Sequence, residues 1–213
     1  MNKKERYSKV IEYFVKVMPV ANTELEHESP YELIVATILS AQCTDKRVNL
    51  ITPLLFQKYP TPYQLAEAKV EDIFEIIRSC SYPNSKAKYL SGLAKMLVKE
   101  FDGRVPSDID QLQRLPGVGR KTANVVASVA FNLPAMAVDT HVHRVARRIG
   151  LTYRSRNPLD TERQLVAKIP ENLIPIAHHW LILHGRYTCT ARKPNCEGCG
   201  INKFCKEYNK VKG

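Results

Sequence analysis

The amino-acid sequence predicts an all-α fold, on three observations. Apolar residues recur at the three- and four-residue spacing of one helix face, as Tyr7, Val10 and Phe14 do near the N-terminus. No segment alternates strictly between apolar and polar residues, as a half-buried strand would. Helix start signals such as Ser29-Pro30 recur along the chain and divide it into many helices.

Caps define the helices in the first part of the chain. Ser29 as N-cap and Pro30 at the first helical position begin a helix that continues to about Ala41. Thr44 begins the next helix. Pro53 must kink or restart that helix, because proline has no amide donor.

The remaining helices follow from the same rules. Asn84 or Ser85 caps an amphipathic run that ends near Phe101, and Ser107 caps a short helix that ends near Leu115. Three further segments are expected: a long helix over residues 120–131, a helix that begins at Asp139 or Thr140, and a loop-rich tail after Cys189.

The composition indicates a folded protein with an anionic partner. Hydrophobic residues make up 44% of the 213 residues, which is ordinary for a globular protein. Lysine and arginine number 32 against 21 acidic residues, so the formal net charge is +11. Nucleic acid is the leading partner and an anionic membrane surface the second. No run approaches the ~18 apolar residues of a membrane span, and no signal core follows the charged N-terminus.

The six cysteines are unevenly distributed, since Cys43 and Cys80 stand alone and four others crowd together. In a reducing compartment, such a cluster indicates a metal centre rather than disulfides. Four thiolates suit either zinc or an iron–sulfur cluster, although zinc ribbons usually show two Cys-x2-Cys pairs and this run has one. The run has the spacing Cys-x6-Cys-x2-Cys-x5-Cys and consists of Cys189, Cys196, Cys199 and Cys205.

The most informative segment is Leu-Pro-Gly-Val-Gly-Arg-Lys at residues 115–121, where one helix ends and another begins. Glycines permit positive φ and close backbone approach, and the free amides of the new helix favour an anion. Gly117, Val118, Gly119 and Arg120 are therefore predicted to hold a DNA phosphate through the backbone, without reading sequence. The alternative is an ordinary connection between packed helices.

Lys121 and Asp139 are the candidates for chemistry. Lys121 follows Arg120 in the first helical turn, where positive potential favours loss of its proton. A neutral amine is what Schiff-base chemistry requires, but a charged Lys121 could instead contact phosphate. Asp139 precedes the next helix, where it either only caps the helix or also stabilises positive charge on a reacting sugar.

Other basic residues extend the predicted DNA surface. His141 and Arg144 follow Asp139, although solvated arginines are common on helices. Arg192 and Lys193 lie in the loop between the first two clustered cysteines, where they could reach phosphates.

Together these motifs resemble the endonuclease III family, in order from about Pro30 to Cys205. The resemblance rests on residues 115–123, Val138-Asp139-Thr140-His141, His179-Trp180 with Gly185-Arg186-Tyr187, and the cysteine run.

This resemblance implies a DNA glycosylase and AP lyase of base excision repair that acts on oxidised or damaged pyrimidines in duplex DNA. The damaged nucleotide is flipped out, Lys121 attacks C1′ with Asp139 assisting, and the Schiff base cleaves the strand 3′ to the abasic site by β-elimination. It also implies a [4Fe–4S] cluster on the four clustered cysteines. The expected domains are a six-helix domain over residues 22–133 and a cluster domain of residues 1–21 plus 134–213. We expect a cytoplasmic, nucleoid-associated monomer.

Two further positions carry over from the family. Gln42 matches the residue that fills the hole left by the flipped nucleotide, although a solvated amide near a helix end is the alternative. Close relatives read Leu-Tyr-Asn-Ser-Lys-Ala where residues 82–87 read Tyr-Pro-Asn-Ser-Lys-Ala. The leucine is a wedge into the duplex, and Tyr82 could stack there in its place.

Three rival functions remain distinguishable. An adenine glycosylase of the same superfamily would lack the hairpin lysine and carry a catalytic glutamate in the early helix, but residues 36–45 contain none. A non-enzymatic DNA-binding module needs neither Lys121 nor Asp139. An iron–sulfur electron carrier needs neither the hairpin nor the charge, and strong salt dependence of DNA binding would count against it.

Overall fold

The computed structural model describes residues 1–212, with side chains up to Lys210. No strand occurs in this range, so the predicted all-α fold class is confirmed. Two short 3-10 helices, Glu171–Leu173 and Asn202–Phe204, interrupt the later loops. The α-helices are α1 (Lys3–Val17), α2 (Pro30–Leu39), α3 (Asp45–Lys58), α4 (Pro62–Glu67), α5 (Val70–Ile77), α6 (Pro83–Phe101), α7 (Ile109–Arg114), α8 (Arg120–Phe131), α9 (Thr140–Ile149), α10 (Pro158–Val166), α11 (Ile174–Tyr187) and α12 (Lys206–Lys212).

The chain divides into two compact units. We call Thr23–Asn132 the hairpin unit, and Met1–Asn22 together with Leu133–Gly213 the cysteine unit. None of the described helices combines the length and the apolar character needed to cross a membrane.

The hairpin unit is built around α2, whose residues from Leu33 to Leu39 are all buried. Helices α3, α6 and α8 pack against it, and α6 also contacts α4 and α5. The apolar stripe of α6 at Leu90, Leu93 and Leu97 is completely buried. Burial of these leucines supplies the hydrophobic stabilisation that short helices lack in isolation.

The cysteine unit joins α1 to helices from the second half of the chain. Phe14 of α1 stacks on Trp180 of α11, with ring centroids 5.7 Å apart. The indole N–H of Trp180 donates to the Met18 carbonyl at 2.8 Å, and the Tyr7 hydroxyl donates to the Leu151 carbonyl at 3.0 Å. The N-terminal helix is therefore anchored by both apolar and polar contacts.

Three predicted helix caps are confirmed. Ser29 Oγ, Thr44 Oγ1 and Asp139 Oδ1 each accept a hydrogen bond from the amide three residues later. Such bonds satisfy an amide that the helix itself leaves without a partner.

Two helix boundaries differ from the prediction. Of the two outcomes predicted for Pro53, a restart of the helix is excluded, because Pro53 lies exposed inside the continuous helix α3. Helix α6 begins at Pro83, because proline already has the φ of a first helical residue; neither Asn84 nor Ser85 caps it. The cap of α7 is Asp108, one residue after the predicted Ser107.

Candidate nucleic-acid interface and cysteine cluster

The hairpin between α7 and α8 is a tight turn. The Leu115 amide donates to the Leu112 carbonyl at 3.1 Å, and the Val118 amide donates to the Leu115 carbonyl at 3.0 Å. Gly117 has a φ of 80°, a left-handed conformation that glycine adopts without steric cost. This is the glycine turn that the sequence predicts.

Helix α6 fixes the turn by direct contact. A Cβ built on Gly117 would lie 2.9 Å from Tyr89 Cβ, and one built on Gly92 would lie 3.2 Å from Pro116 Cγ. The Val118 side chain is buried and its amide is used within the turn. The predicted phosphate contact therefore depends on the neighbouring glycines more than on Val118.

The N-terminus of α8 is open to an approaching group. Gly119 caps it without a side-chain hydrogen bond, and no described atom lies within 4 Å of a Cβ built there. The amides of Gly117, Gly119 and Lys121 donate to no atom of the described chain. Arg120 and Lys121 follow with exposed side chains. Free amides, the helix dipole and two cations together favour an anion.

Gln42 and Tyr82 lie in two loops that the structure brings together. The Ser81 hydroxyl donates to the Gln42 carbonyl at 2.7 Å, and both Gln42 and Tyr82 have exposed side chains. Their φ values are 54° and 55°, in the left-handed region that costs a residue with a Cβ about 1 kcal/mol. Such strain persists only where surrounding contacts enforce it.

Lys86 is a buried cation that sequence reasoning missed. Its Nζ donates to the carbonyls of Leu39 and Ala41, each at 2.7 Å. Burial lowers the pKa of Lys86, and the nearby thiols of Cys80 and Cys43 oppose that shift. The signal was present in the sequence, because Lys86 occupies the apolar stripe of α6 four residues before Leu90.

Asp139 lies in the cysteine unit and caps α9. Its Oδ1 accepts the Val142 amide at 2.8 Å, and its Oδ2 accepts no hydrogen bond from the described residues. The carboxylate is half-buried, and the capping bond fixes its orientation. Capping therefore uses one oxygen and leaves the other for a second role.

Arg144 is engaged within its own unit. Its guanidinium donates to the carbonyls of Gly185 and Cys189 at 2.8 to 3.2 Å, and it lies 3.2 Å from His141 Nδ1. A guanidinium shared among these acceptors is held in place, so Arg144 supports the segment that leads to Cys189. That Arg144 also binds DNA stays a prediction.

The four clustered cysteines line one cavity, together with apolar residues such as Ile149 and Ile201. Burial raises the pKa of the Cys199 and Cys205 thiols. Cys199 Sγ lies 3.7 Å from His184 Nε2, and Arg148 Nη1 lies 3.6 Å from Cys189 Sγ. Arg148 also donates to two carbonyls of the following residues, Thr190 and Ala191.

Four thiolates can bind a single zinc ion or an iron–sulfur cluster, and the two groups need different spacings of the sulfur atoms. Among the described residues, no group of three or more histidine, cysteine or acidic side chains is close enough to hold one metal ion. Tetrahedral zinc at about 2.3 Å from each sulfur would bring the sulfurs to about 3.8 Å of one another. A four-iron cluster is larger and needs its four thiolates farther apart. The four thiols and the apolar walls of this cavity supply the donor set and the surroundings that an iron–sulfur cluster takes.

The loop after Cys189 presents two basic side chains. Thr190 Oγ1 donates to the Lys193 carbonyl at 2.7 Å, and the Asn195 amide donates to the Thr188 carbonyl at 2.9 Å. Arg192 and Lys193 are exposed in this internally bonded loop.

Comparison with known proteins places both regions in one family. Residues 35–171 match the HhH-GPD superfamily of base excision DNA repair proteins, and residues 189–205 match the iron–sulfur binding domain of endonuclease III. The chain is 48% identical to endonuclease III of Rickettsia felis over 202 residues, which cover 95% of this chain and 94% of the relative. It is 44% identical to endonuclease III of Escherichia coli over 193 residues, 91% of each chain.

A solved structure gives the same result. The structure of a trapped endonuclease III–DNA covalent intermediate matches with a TM-score of 0.93 and 43% identity, covering 100% of both chains. The cofactor of this protein is a [4Fe–4S] cluster, since the cysteine run matches the family's iron–sulfur domain. The chain belongs to the endonuclease III family, and it is a base excision repair enzyme of the DNA glycosylase and AP lyase class.

Proposed function

We propose that this protein removes oxidised or ring-damaged pyrimidines from duplex DNA and then cleaves the strand on the 3′ side of the abasic sugar. The observation that carries the proposal is the exposed Lys121 in the first turn of α8, where the amides of Gly117, Gly119 and Lys121 donate to no described atom. The similar structure with a covalent DNA intermediate supports a nucleophile of this kind.

DNA is held first by its backbone. The free amides at Gly117, Gly119 and Lys121 bind one phosphate, and the net charge of +11 attracts the duplex. Arg120, Arg192 and Lys193 add charged contacts, and none of these contacts depends on base sequence. The enzyme can therefore search DNA of any sequence for damage.

The damaged nucleotide leaves the stack before it reacts. The exposed side chains of Gln42 and Tyr82, carried by the two linked loops, occupy the space it vacates. Gln42 offers its side-chain amide to the opposite-strand base that has lost its pairing partner. The Tyr82 ring stacks on a neighbouring base pair.

Lys121 supplies the nucleophile as a neutral amine. Its Nζ attacks C1′ of the damaged nucleotide, the C1′–N bond breaks, and the base leaves with the electron pair of that bond and takes a proton from water. The sugar ring then opens: the C1′–O4′ bond breaks, O4′ takes the proton that the attacking amine has lost, and a Schiff base remains on Lys121. Loss of a C2′ proton then expels the 3′ phosphate by β-elimination. Asp139 stabilises the positive charge that develops on the sugar and accepts the proton from the attacking amine.

Cys189, Cys196, Cys199 and Cys205 are the cluster ligands in this proposal. The bound cluster supplies a covalent crosslink that orders the C-terminal segment and the loop with Arg192 and Lys193. Arg144 orients this segment through its bonds to the Cys189 carbonyl, and His141 and Arg144 both contribute to DNA binding. The hairpin and cysteine units correspond to the two domains of the family, and the protein acts as a monomer.

A borohydride trap tests the proposed nucleophile. Wild-type protein is mixed with duplex DNA that contains one oxidised pyrimidine, and the mixture is reduced. We expect a covalent adduct, its loss in Lys121→Ala, and its retention in Lys95→Ala, which removes an exposed lysine from α6. DNA binding persists in both variants.

Retention of the adduct and of strand cleavage in Lys121→Ala would exclude Lys121 as the nucleophile. Binding by the wild type without adduct or cleavage, on an abasic duplex as well, would indicate a non-enzymatic DNA-binding module.

A further inference from the structure

Lys86 connects the two loops that carry Gln42 and Tyr82. It lies on α6, four residues after Tyr82, and it reaches the end of α2 just before Gln42. Only 4% of its surface is exposed, so its ammonium has left bulk water for two carbonyl groups. Removing a charge from water costs free energy, and the bonds that offset this cost indicate a structural role for Lys86.

The role of Lys86 follows from the lack of a cation at the C-terminus of α2. Its last turn contains no basic residue, although a helix C-terminus leaves carbonyls without partners and carries negative potential. Lys86 provides the cation from another helix and bonds Leu39 and Ala41. These bonds fix the backbone up to the residue that precedes Gln42.

The loop beyond this point is fixed from the other side. Ser81 holds the Gln42 carbonyl at 2.7 Å, and the Cys43 amide closes a turn onto the Ser40 carbonyl at 3.0 Å. Lys86 and Ser81 thus hold the Gln42 turn from α6 and from the loop before it. These bonds account for the positive φ of Gln42. The Lys86 amide also donates to the Tyr82 carbonyl at 3.1 Å, so the same residue bonds the other positive-φ position.

We propose that Lys86 is the positioning residue for damage recognition: it holds Gln42 and Tyr82 in the projecting conformation that fills the space of the flipped nucleotide. The proposal rests on the proposed function of those two residues. Lys86 itself touches neither DNA nor the reacting sugar.

Two substrates distinguish a role of Lys86 in damage recognition from a general effect on protein stability. A duplex with an oxidised pyrimidine must lose a stacked base, whereas one with a preformed abasic site has no base to unstack and flips at lower cost. In Lys86→Met we expect base excision to fall about 10- to 100-fold, because flipping costs a few kcal/mol. Cleavage of the abasic duplex falls less than about threefold by the same argument. Lys95→Met removes an exposed charge from the same helix and leaves both rates unchanged.

Ser81→Ala is the second variant, because Lys86→Met removes a buried group and can fail to fold. It deletes only the bond to the Gln42 carbonyl, so we expect the same selective loss at smaller size. Equal losses on the two substrates, or unchanged rates in a folded Lys86→Met, would overturn the inference; if that variant does not fold, unchanged rates in Ser81→Ala do so. A wild type inactive on both substrates would instead contradict the proposed function.

Discussion

The hairpin turn at residues 115–119 and the cysteine loop at residues 189–196 both follow a helix, but different forces hold them. The hairpin is set by steric contact, with Gly117 against Tyr89 and Pro116 against Gly92. The cysteine loop is set by hydrogen bonds, with two arginines of α9 donating to its first three carbonyls. A turn held by contact should respond to one added methyl group. A loop held by polar bonds should respond to loss of charge or cofactor.

The largest expected effect comes from loss of the cluster. Cys199→Ser replaces one thiolate by a hydroxyl, which is a poor ligand, and we expect lower soluble yield and no visible iron–sulfur absorbance. A cofactor that binds only the folded state at a thousand times its dissociation constant contributes about 4 kcal/mol. Hydrogen exchange should therefore accelerate through α9, α11 and α12 and much less through the hairpin unit.

Cys80→Ser is the matched control, since Cys80 is buried in the hairpin unit outside the cysteine run. It should keep the absorbance. A colourless wild type that contains zinc would contradict the cluster assignment, and equal acceleration in both units would remove the contrast between them.

Gly117→Ala tests the steric half of the comparison. The added Cβ contacts Tyr89, and the alanine must keep the φ of 80° that Gly117 has. Strain of about 1 kcal/mol and overpacking of about 1–3 kcal/mol together predict a loss of about 2–4 kcal/mol, measured by chemical unfolding.

Gly119→Ala is the paired variant at the same turn. Its φ is −87° and no described atom lies within 4 Å, so the stability should change by less than about 0.5 kcal/mol. DNA binding should still weaken, because the methyl group occupies the space proposed for a phosphate. Equal destabilisation by both variants would show that the contact with Tyr89 does not set the turn.

Local signals in the sequence predict much of this arrangement, and tertiary pairing accounts for what they miss. The caps at Ser29, Thr44 and Asp139 and the glycine turn involve neighbours within a few residues, so pattern reasoning finds them. The bonds from Lys86 to the end of α2 join residues more than forty positions apart. No local rule specifies such a partner, although a lysine in an apolar stripe indicates that one exists.

Arg144 shows a second limit of local sequence signals: they predict a charged side chain but not what it bonds. Its charge and its place on an amphipathic helix predict a cation on the DNA-binding surface. In the structure its guanidinium bonds carbonyls from the end of α11. Composition cannot distinguish an arginine that faces DNA from one that binds a carbonyl of its own unit, because both need the same side chain.

Arg148→Met tests whether hydrogen bonds from α9 hold the cysteine loop. The variant loses bonds to the Thr190 and Ala191 carbonyls and the contact with Cys189 Sγ, while the methionine keeps much of the apolar stem. Charged hydrogen bonds of this kind predict a loss of about 1–3 kcal/mol. The iron–sulfur absorbance should also decay faster in the presence of a chelator.

Arg147→Met is the control, because Arg147 is exposed and donates no hydrogen bond to the described residues. It should resemble the wild type in both measurements. If both variants lose absorbance faster than the wild type and at the same rate, net charge rather than the carbonyl bonds protects the cluster.

Acid should destabilise the cysteine unit more than the hairpin unit. Five of the six histidines lie in the cysteine unit, and only His27 lies in the hairpin unit. Burial lowers the pKa of His179 to about 4 and that of His184 to about 4. Unfolded histidine titrates near 6.5, so between pH 6.5 and pH 4 the unfolded state binds more protons and stability falls as the pH falls.

From pH 7 to pH 5 each of these two histidines should contribute a loss of at most about 2 kcal/mol. His179→Gln should remove about half of the combined loss, while His27→Gln should leave it unchanged. Hydrogen exchange at the two pH values, corrected for intrinsic rates, locates the effect within the chain. Protection should fall in α11 and its neighbours and persist in α2 and α6. A parallel fall in α2 and α6 would mean that acid acts on a group other than the buried histidines, because no histidine lies on either helix.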